Sequence, residues 1–413
     1  MGVAAAPSRP AEDSAPTGPG PAHWLRTARE AADDLATDAA AREQAGKAPF
    51  DELSRLREAG LLTLLAPAGT GGGGADWPTA LAVVREIAAA DGAIGQLLGC
   101  HYFLSSSARF FAEPALAARL ERRSVAEQWC WGGGLARQEP PLTLVRTPGG
   151  QVLDGRQSHP AGVAVADRLA VRAVRADTGE PVAVAVDTAA RGVRVDGDGD
   201  GDGDAFGQRL AGGGSVEFHA VPVAADDVLG SLAVDEDALS PGAALASPVG
   251  RLVPVQVLLG MAEGVLAEAR EYRRAGHLPR HPAGPVGAAQ EPHVLTAYGE
   301  LTVLTRAASA LAAQAVAAVR DGLARGADLT FDEYADVSVL VAMAEAAASR
   351  AAQESTARAL DVIGARSASA RLGFDRFWRN ARTHTLYEPV APRVRDVGDY
   401  FLNGTHPPFV LPA

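Results

Sequence analysis

The residues best suited to chemistry crowd into one stretch, Gly373-Phe-Asp-Arg-Phe-Trp-Arg-Asn-Ala-Arg-Thr-His-Thr-Leu-Tyr-Glu-Pro389. It holds Arg376, Arg379, Arg382, His384, Tyr387 and Glu388 beside Phe374, Phe377 and Trp378. An imidazole exchanges protons near neutral pH, a carboxylate can act as a base, and a phenol donates a hydrogen bond. Guanidinium groups pair with phosphate or carboxylate. The same residues also suit the end of a helical bundle, where Arg stems and aromatic rings cover apolar surface. On residue types alone, both readings stand.

Other patterns are weaker. Gly69-Thr-Gly-Gly-Gly-Gly74 matches GxGxxG, but a dinucleotide site needs a strand before it and a helix after it. Here Pro67 follows the end of a helical hairpin, so a plain loop is expected. The run Asp196-Gly-Asp-Gly-Asp-Gly-Asp-Gly-Asp204 lacks the closing Glu and flanking helices of a calcium loop. It reads as a solvated acidic turn between strands. The nine histidines offer no HExxH, Cys130 has no CxxC partner, and there is no GxSxG elbow. No metal site is expected.

The elements that must position the C-terminal stretch fall into three segments after a Pro/Ala/Gly/Ser-rich tail over 1–22, which is expected to be disordered. Residues 23–125 read as helices: Trp24 to Ala45, Phe50 to a stop at Gly60, Trp77 to Ala90, and Ile94 to Phe111. Residues 126–240 turn to short valine-rich alternations at 142–147, 168–173, 181–186 and 215–219, which predict a β domain. Residues 241–413 return to helix. Leu258, Met261, Val265 and Ala269 form one stripe, and Leu301, Leu304, Ala308 and Leu311 another. Thr330-Phe-Asp-Glu333 has capping-box spacing and opens a long helix that ends near Gly364. Long Ala-rich helices with short links predict a bundle.

Composition sets limits. The 413 residues are 47% hydrophobic and 21% charged, as in a water-soluble globular protein, and suffice for two or three domains. A net charge of -12 argues against a nucleic-acid partner. Cys100 and Cys130 make no disulfide framework, which points to a reduced, cytoplasmic setting. The N-terminus lacks a signal-peptide pattern, and no uncharged apolar run of membrane-spanning length is apparent.

Several motifs in order carry a family resemblance: Val84-Arg-Glu-Ile-Ala-Ala-Ala-Asp-Gly92, Gly95-Gln-Leu-Leu-Gly-Cys-His101, Val152-Leu-Asp-Gly155, Phe206-Gly-Gln-Arg209, Gly214-Ser-Val-Glu-Phe218, Asp227-Val-Leu-Gly230, Ala269-Arg-Glu-Tyr272 and Ala297-Tyr-Gly-Glu300, together with the C-terminal stretch. Over about residues 25–413 the chain resembles the acyl-CoA dehydrogenase superfamily. Within it, the chain resembles the flavin-dependent monooxygenases of dibenzothiophene and of sulfur acquisition. That implies a mainly α acyl-CoA dehydrogenase fold: N-terminal helices, a central β barrel and a C-terminal four-helix bundle, assembled as a homotetramer. It implies a flavin between the β domain and the bundle, with reduced FMN more expected than FAD. A separate flavin reductase would supply the reduced flavin, and O2 would be trapped as a flavin hydroperoxide.

The resemblance also implies roles. His384 matches the family's Arg-Thr-His histidine as proton donor, and Tyr387 stands where a second histidine is common. The family's pocket His and Tyr correspond to Gln96 and Cys100, with His101 adjacent. A pocket Asn becomes Gly133, next to Trp131, and a Ser becomes Ala161. These replacements remove donors and make space, which points to an aromatic or secondary-metabolite substrate as readily as an organosulfur one. Arg274, with Arg273 beside it, is the expected phosphate ligand, and Ser215 and Arg382 are further cofactor contacts. A true acyl-CoA dehydrogenase is the rival reading, with Glu388 as the α-proton base. A non-catalytic scaffold on the same fold is a third.

Overall fold

The computed structural model describes residues 18–158, 161–196, 205–233, 241–275 and 291–412. The acidic run 197–204 and residues 1–17 of the tail lie outside the described residues. The described part of the tail already enters a helix, α1 (Pro21–Ala36), with its proline in the first turn, where a missing N–H costs nothing.

The N-terminal helices continue as α2 (Ala39–Ala45), α3 (Phe50–Glu58), α4 (Trp77–Ala90), α5 (Gly92–Ser105), α6 (Ser107–Phe111) and α7 (Pro114–Glu127). Asp76 caps α4 by accepting the Thr79 N–H at 3.0 Å. Asp91 caps α5 through the N–H groups of Ala93 and Ile94. The expected helix from Ile94 to Phe111 is thus two helices, and it begins earlier because Asp91 supplies the cap. The glycine-rich segment 69–74 follows a 3-10 turn and no strand, as a plain loop does.

The β domain holds β1 (Trp131–Gly134), β2 (Leu142–Thr147), β3 (Gly150–Ser158), β4 (Arg168–Arg175), β5 (Pro181–Asp187), β6 (Val193–Asp196), β7 (Ser215–Val223) and β8 (Val228–Ser231). Among the described residues these form one mixed sheet, ordered β6-β7-β3-β2-β4-β5-β8, with β1 parallel to β4 off that path. The expected central β domain is thus a mixed sheet whose two end strands, β6 and β8, pair with β7 and β5 and not with each other. Closure is one way to remove an edge; covering it is another, and α6 packs against β8 here. Leu142, Leu153, Leu169, Val184 and Phe218 centre the sheet's own apolar core, separate from the helical one.

The C-terminal helices are α8 (Pro241–Ala244), α9 (Ala246–Arg274), α10 (Pro292–Arg325), α11 (Phe331–Ile363), α12 (Asp375–Tyr387) and α13 (Ala391–Asn403). α9 is the hub, packed by α4, α5, α10, α11 and α12. It is therefore buried nearly all round, and not only on the Leu258-Met261-Val265-Ala269 stripe. α10 buries Leu301, Thr305, Ala308, Ala312, Ala315, Val319 and Gly322. That alternating four-three spacing is a narrow coiled-coil seam; Leu304 and Leu311 lie at its margin, half-buried. α11 has both halves of its predicted capping box at Thr330 and Glu333 and stops at Gly364.

Two segments, Gly242–Arg274 and Pro292–Asp328, are long and apolar enough to cross a membrane, although charged residues interrupt each of them. For the first, burial in the bundle accounts for the apolarity.

Candidate active site

A cavity of about 130 Å³, partly open to solvent, lies where α5, the β domain, α9 and α12 meet. Helix α5 places Gln96 and Cys100 one turn apart on the face toward it. The Gln96 Nε2 donates to the Cys100 Sγ at 3.2 Å, and the Gln96 Oε1 is buried with no partner. Burial pushes the Cys100 thiol up to about 12, so it stays protonated.

His101 does not join them. One residue on, the helix has turned by about 100°, and the ring points away from the cavity. Its Nδ1 accepts the Trp131 N–H at 3.0 Å, which leaves Nε2 to donate to the Leu62 carbonyl at 2.7 Å. Burial brings its pKa down to about 4. Trp131 is likewise absent from the lining: its indole N–H donates to the Ser124 hydroxyl at 3.0 Å. Both residues, expected in the substrate pocket, instead join the N-terminal helices to β1.

From the sheet, Gly133 and Ala161 reach the cavity and pair through the Gly133 N–H and the Ala161 carbonyl at 2.9 Å. Gly133 has φ +109°, and a Cβ there would sit 2.4 Å from the Ala170 carbonyl oxygen. No side chain fits at 133, so that wall is bare backbone.

Helix α12 brings in His384, Tyr387 and Glu388. It is held by ion pairs from Arg376 to Glu268 on α9 and from Arg379 to Glu43 on α2. Asn380 accepts the backbone N–H of Gln208 at 2.6 Å. Gly207 lies so close that a Cβ would meet the Arg379 carbonyl oxygen at 2.3 Å. These contacts fix the height of the helix against the loop 205–213. His384 is buried, and its Nε2 has no hydrogen-bond partner. Burial lowers its pKa, opposed in part by Glu388, so the ring is neutral at pH 7. Tyr387 stands at the rim, 56% exposed.

Gln208 lines the same cavity and was not singled out as a site residue, although it lies within the Phe206–Arg209 motif. It adopts φ +60°, unusual for a residue with a side chain. Its Nε2 donates to the Asn380 carbonyl at 3.4 Å, and its Oε1 is buried without a partner. The motif was its signal; its orientation depends on a helix some 170 residues later. Pro254, in the middle of α9, also lines the cavity and was not foreseen.

The comparisons agree with this architecture. The descriptions "Acyl-CoA dehydrogenase, N-terminal domain" and "Acyl-CoA dehydrogenase, C-terminal domain" match residues 23–120 and 252–392. A dibenzothiophene monooxygenase of Mycolicibacterium goodii is 37% identical over 93% of this chain and 94% of its own. The chain belongs to the acyl-CoA dehydrogenase superfamily. A probable FMNH2-dependent monooxygenase, SfnC, of Pseudomonas putida is 32% identical over 95% of this chain and 98% of its own. The crystal structure of FMN-bound TdsC from Paenibacillus sp. A11-2 superposes with a TM-score of 0.88 at 36% identity, covering 94% and 98% of the two chains.

The remaining expected contacts of this acyl-CoA dehydrogenase relative lie off the cavity lining. Arg274, at the end of α9, is two-thirds exposed and 3.6 Å from Glu271. Arg273 is instead buried and donates to the Val362 carbonyl. Tyr272, two residues before Arg274, borders a groove with Arg366, Ser369 and Arg371. The Ser215 hydroxyl accepts from Arg156 at 2.9 Å. Arg382 reaches Gln353 on α11 at 3.4 Å. Among the described residues no group of three or more His, Cys, Asp or Glu could hold a metal.

Proposed function

We propose that this chain is the oxygenase of a two-component monooxygenase, which takes reduced FMN from a separate reductase and uses O2 to oxygenate a small organosulfur or aromatic molecule. The carrying observation is His384: a neutral imidazole in the wall of a largely apolar cavity, with one ring nitrogen unpartnered. The residues present fit a flavin. Its wall is largely apolar, and orphaned polar atoms on Gln208 and His384 await partners.

Bound reduced FMN would supply two electrons to O2, so that one oxygen atom enters the substrate and the other leaves as water. His384 would hold a proton at its unpartnered ring nitrogen, where a neutral imidazole N–H can donate a hydrogen bond to the oxygen being transferred. The apolar walls keep out bulk water, which would otherwise divert the reaction to hydrogen peroxide. Tyr387 offers a second donor at the rim. Arg274 is the proposed phosphate ligand; Ser215 and Arg382 are lesser contacts.

The test is turnover with chemically reduced FMN and O2, without nicotinamide. Product formed from NADH alone, with no reductase, would contradict it. The dehydrogenase reading keeps one observation, Glu388 at the cavity. Oxidation of an acyl-CoA thioester, abolished by Glu388→Gln, would favour that reading.

Self-association as a homotetramer accompanies this proposal. The outer face of α10 leaves Leu295 56% and Val303 70% exposed, beside small alanines that permit close approach. A monomeric mass by light scattering across concentrations would oppose it. Two free thiols suit a cytoplasmic location.

A further inference from the structure

We propose that the substrate is a neutral, flat-ringed molecule bearing an N–H or O–H group, and that Gln96 is the residue that reads that donor. The inference rests on the oxygenase reading above and narrows its substrate class.

The cavity first excludes charge. Its described lining contains no Arg or Lys, and Glu388 is its carboxyl group. An anionic ligand would lose its hydration, meet that carboxyl and find no cation to offset either cost. A sulfinate, sulfonate or carboxylate is therefore a poor occupant. Phe103, Leu104, Leu135 and Val253 supply apolar walls instead.

Polarity then selects within neutral rings. The Gln96 amide is oriented from behind: its Nε2 is committed to Cys100, one turn along α5. Cys100 is itself half-buried and its thiol stays protonated, so it can hold the amide without bringing a charge into the pocket. The Oε1 that remains is buried, belongs to a residue that lines the cavity and has no protein partner. A buried acceptor left unmade is costly, and a ligand donor placed there removes that cost. An isosteric ligand without the donor leaves the acceptor desolvated, so a site of this type rejects it. The orphaned Gln208 Oε1 makes the same demand from the opposite element. Away from His384 and Tyr387, hydrogen-bond acceptors and not cations are thus what this pocket offers a ligand.

Three probes of similar size separate the possibilities: indole, with an N–H; benzothiophene, the same bicycle with sulfur in its place; and benzenesulfinate, an anion. Their binding to the full chain saturated with FMN can be followed by titration calorimetry. Indole is expected to bind about tenfold more tightly than benzothiophene, the scale of one hydrogen bond. Gln96→Leu and Gln96→Met should each bring the two affinities to within about twofold, and retained FMN binding shows that each variant folds. Benzenesulfinate should not compete. Equal affinities in the unaltered protein, a preference that survives both variants, or competition by benzenesulfinate would each overturn the proposal. The readout is independent of turnover: donor selectivity without oxygenation sinks the oxygenase reading alone, and oxygenation without donor selectivity sinks this one alone.

Discussion

Two buried histidines, one on α5 and one on α12, separate structure from chemistry in this molecule. Both rings are enclosed, and burial lowers both pKa values. His101 spends both ring nitrogens on the protein, clamping Leu62 on one side and Trp131 on the other. His384 leaves Nε2 without a partner at the edge of a cavity. Burial and a shifted pKa are common to a tie between domains and to a candidate acid. The unmade hydrogen bond tells them apart.

The largest effect expected from that contrast is catalytic. His384→Ala should lower product formation by about 10²–10⁴-fold, the usual loss for a general acid–base group. Reduced FMN should still be consumed, because O2 reacts with it unaided, so peroxide should rise as product falls. Measured coupling that stays complete would show His384 to be as structural as His101.

His101→Ala should do the opposite. It strands the Leu62 carbonyl and the Trp131 N–H in the interior, at about 1–3 kcal/mol each. Chemical denaturation should therefore show a loss on the order of 3 kcal/mol, with coupling kept in the folded fraction. A variant as stable as the parent would remove the clamp from the account.

Next in size is binding. Arg274→Ala should weaken FMN affinity by about 1.5–3 kcal/mol, the worth of a charged hydrogen bond. Unchanged affinity in a fluorescence titration would show that Arg274 is not the phosphate ligand.

The pH dependence sharpens the comparison further. The folded pKa of His101 is about 4 against 6.5 unperturbed. The unfolded chain therefore binds more protons between those values. Stability from His101 is fully present above about pH 6.5 and is lost as pH falls toward 4, by roughly 3 kcal/mol in all. His384 acts in the same direction. His101→Ala should flatten this slope in denaturation curves taken from pH 7 to 4; an unchanged slope would assign the acid sensitivity elsewhere.

Much of this was legible in the residues, and the physics explains which parts. Thr330 and Glu333 announce the start of α11 and Gly364 its end, because a cap is made within four residues. The alternation over Leu142–Thr147 announces β2 for a similar reason. Motif resemblance brought Gln96, Cys100, Gly133, Ala161, His384 and Tyr387 forward, and all six line one cavity.

By itself, then, the sequence determined the order of helical, β and helical segments, the caps that bound them and the residue types available for proton transfer. The tertiary structure decided which side of each element meets a partner. His101 and Cys100 are neighbours in sequence, yet one faces Leu62 and the other the cavity. Gln208 gains its place only because Asn380, from α12, accepts its backbone N–H. Local patterns fix a helix and its ends; packing between segments more than a hundred residues apart fixes what each face touches, and in this protein that settles which polar atoms are left for a ligand.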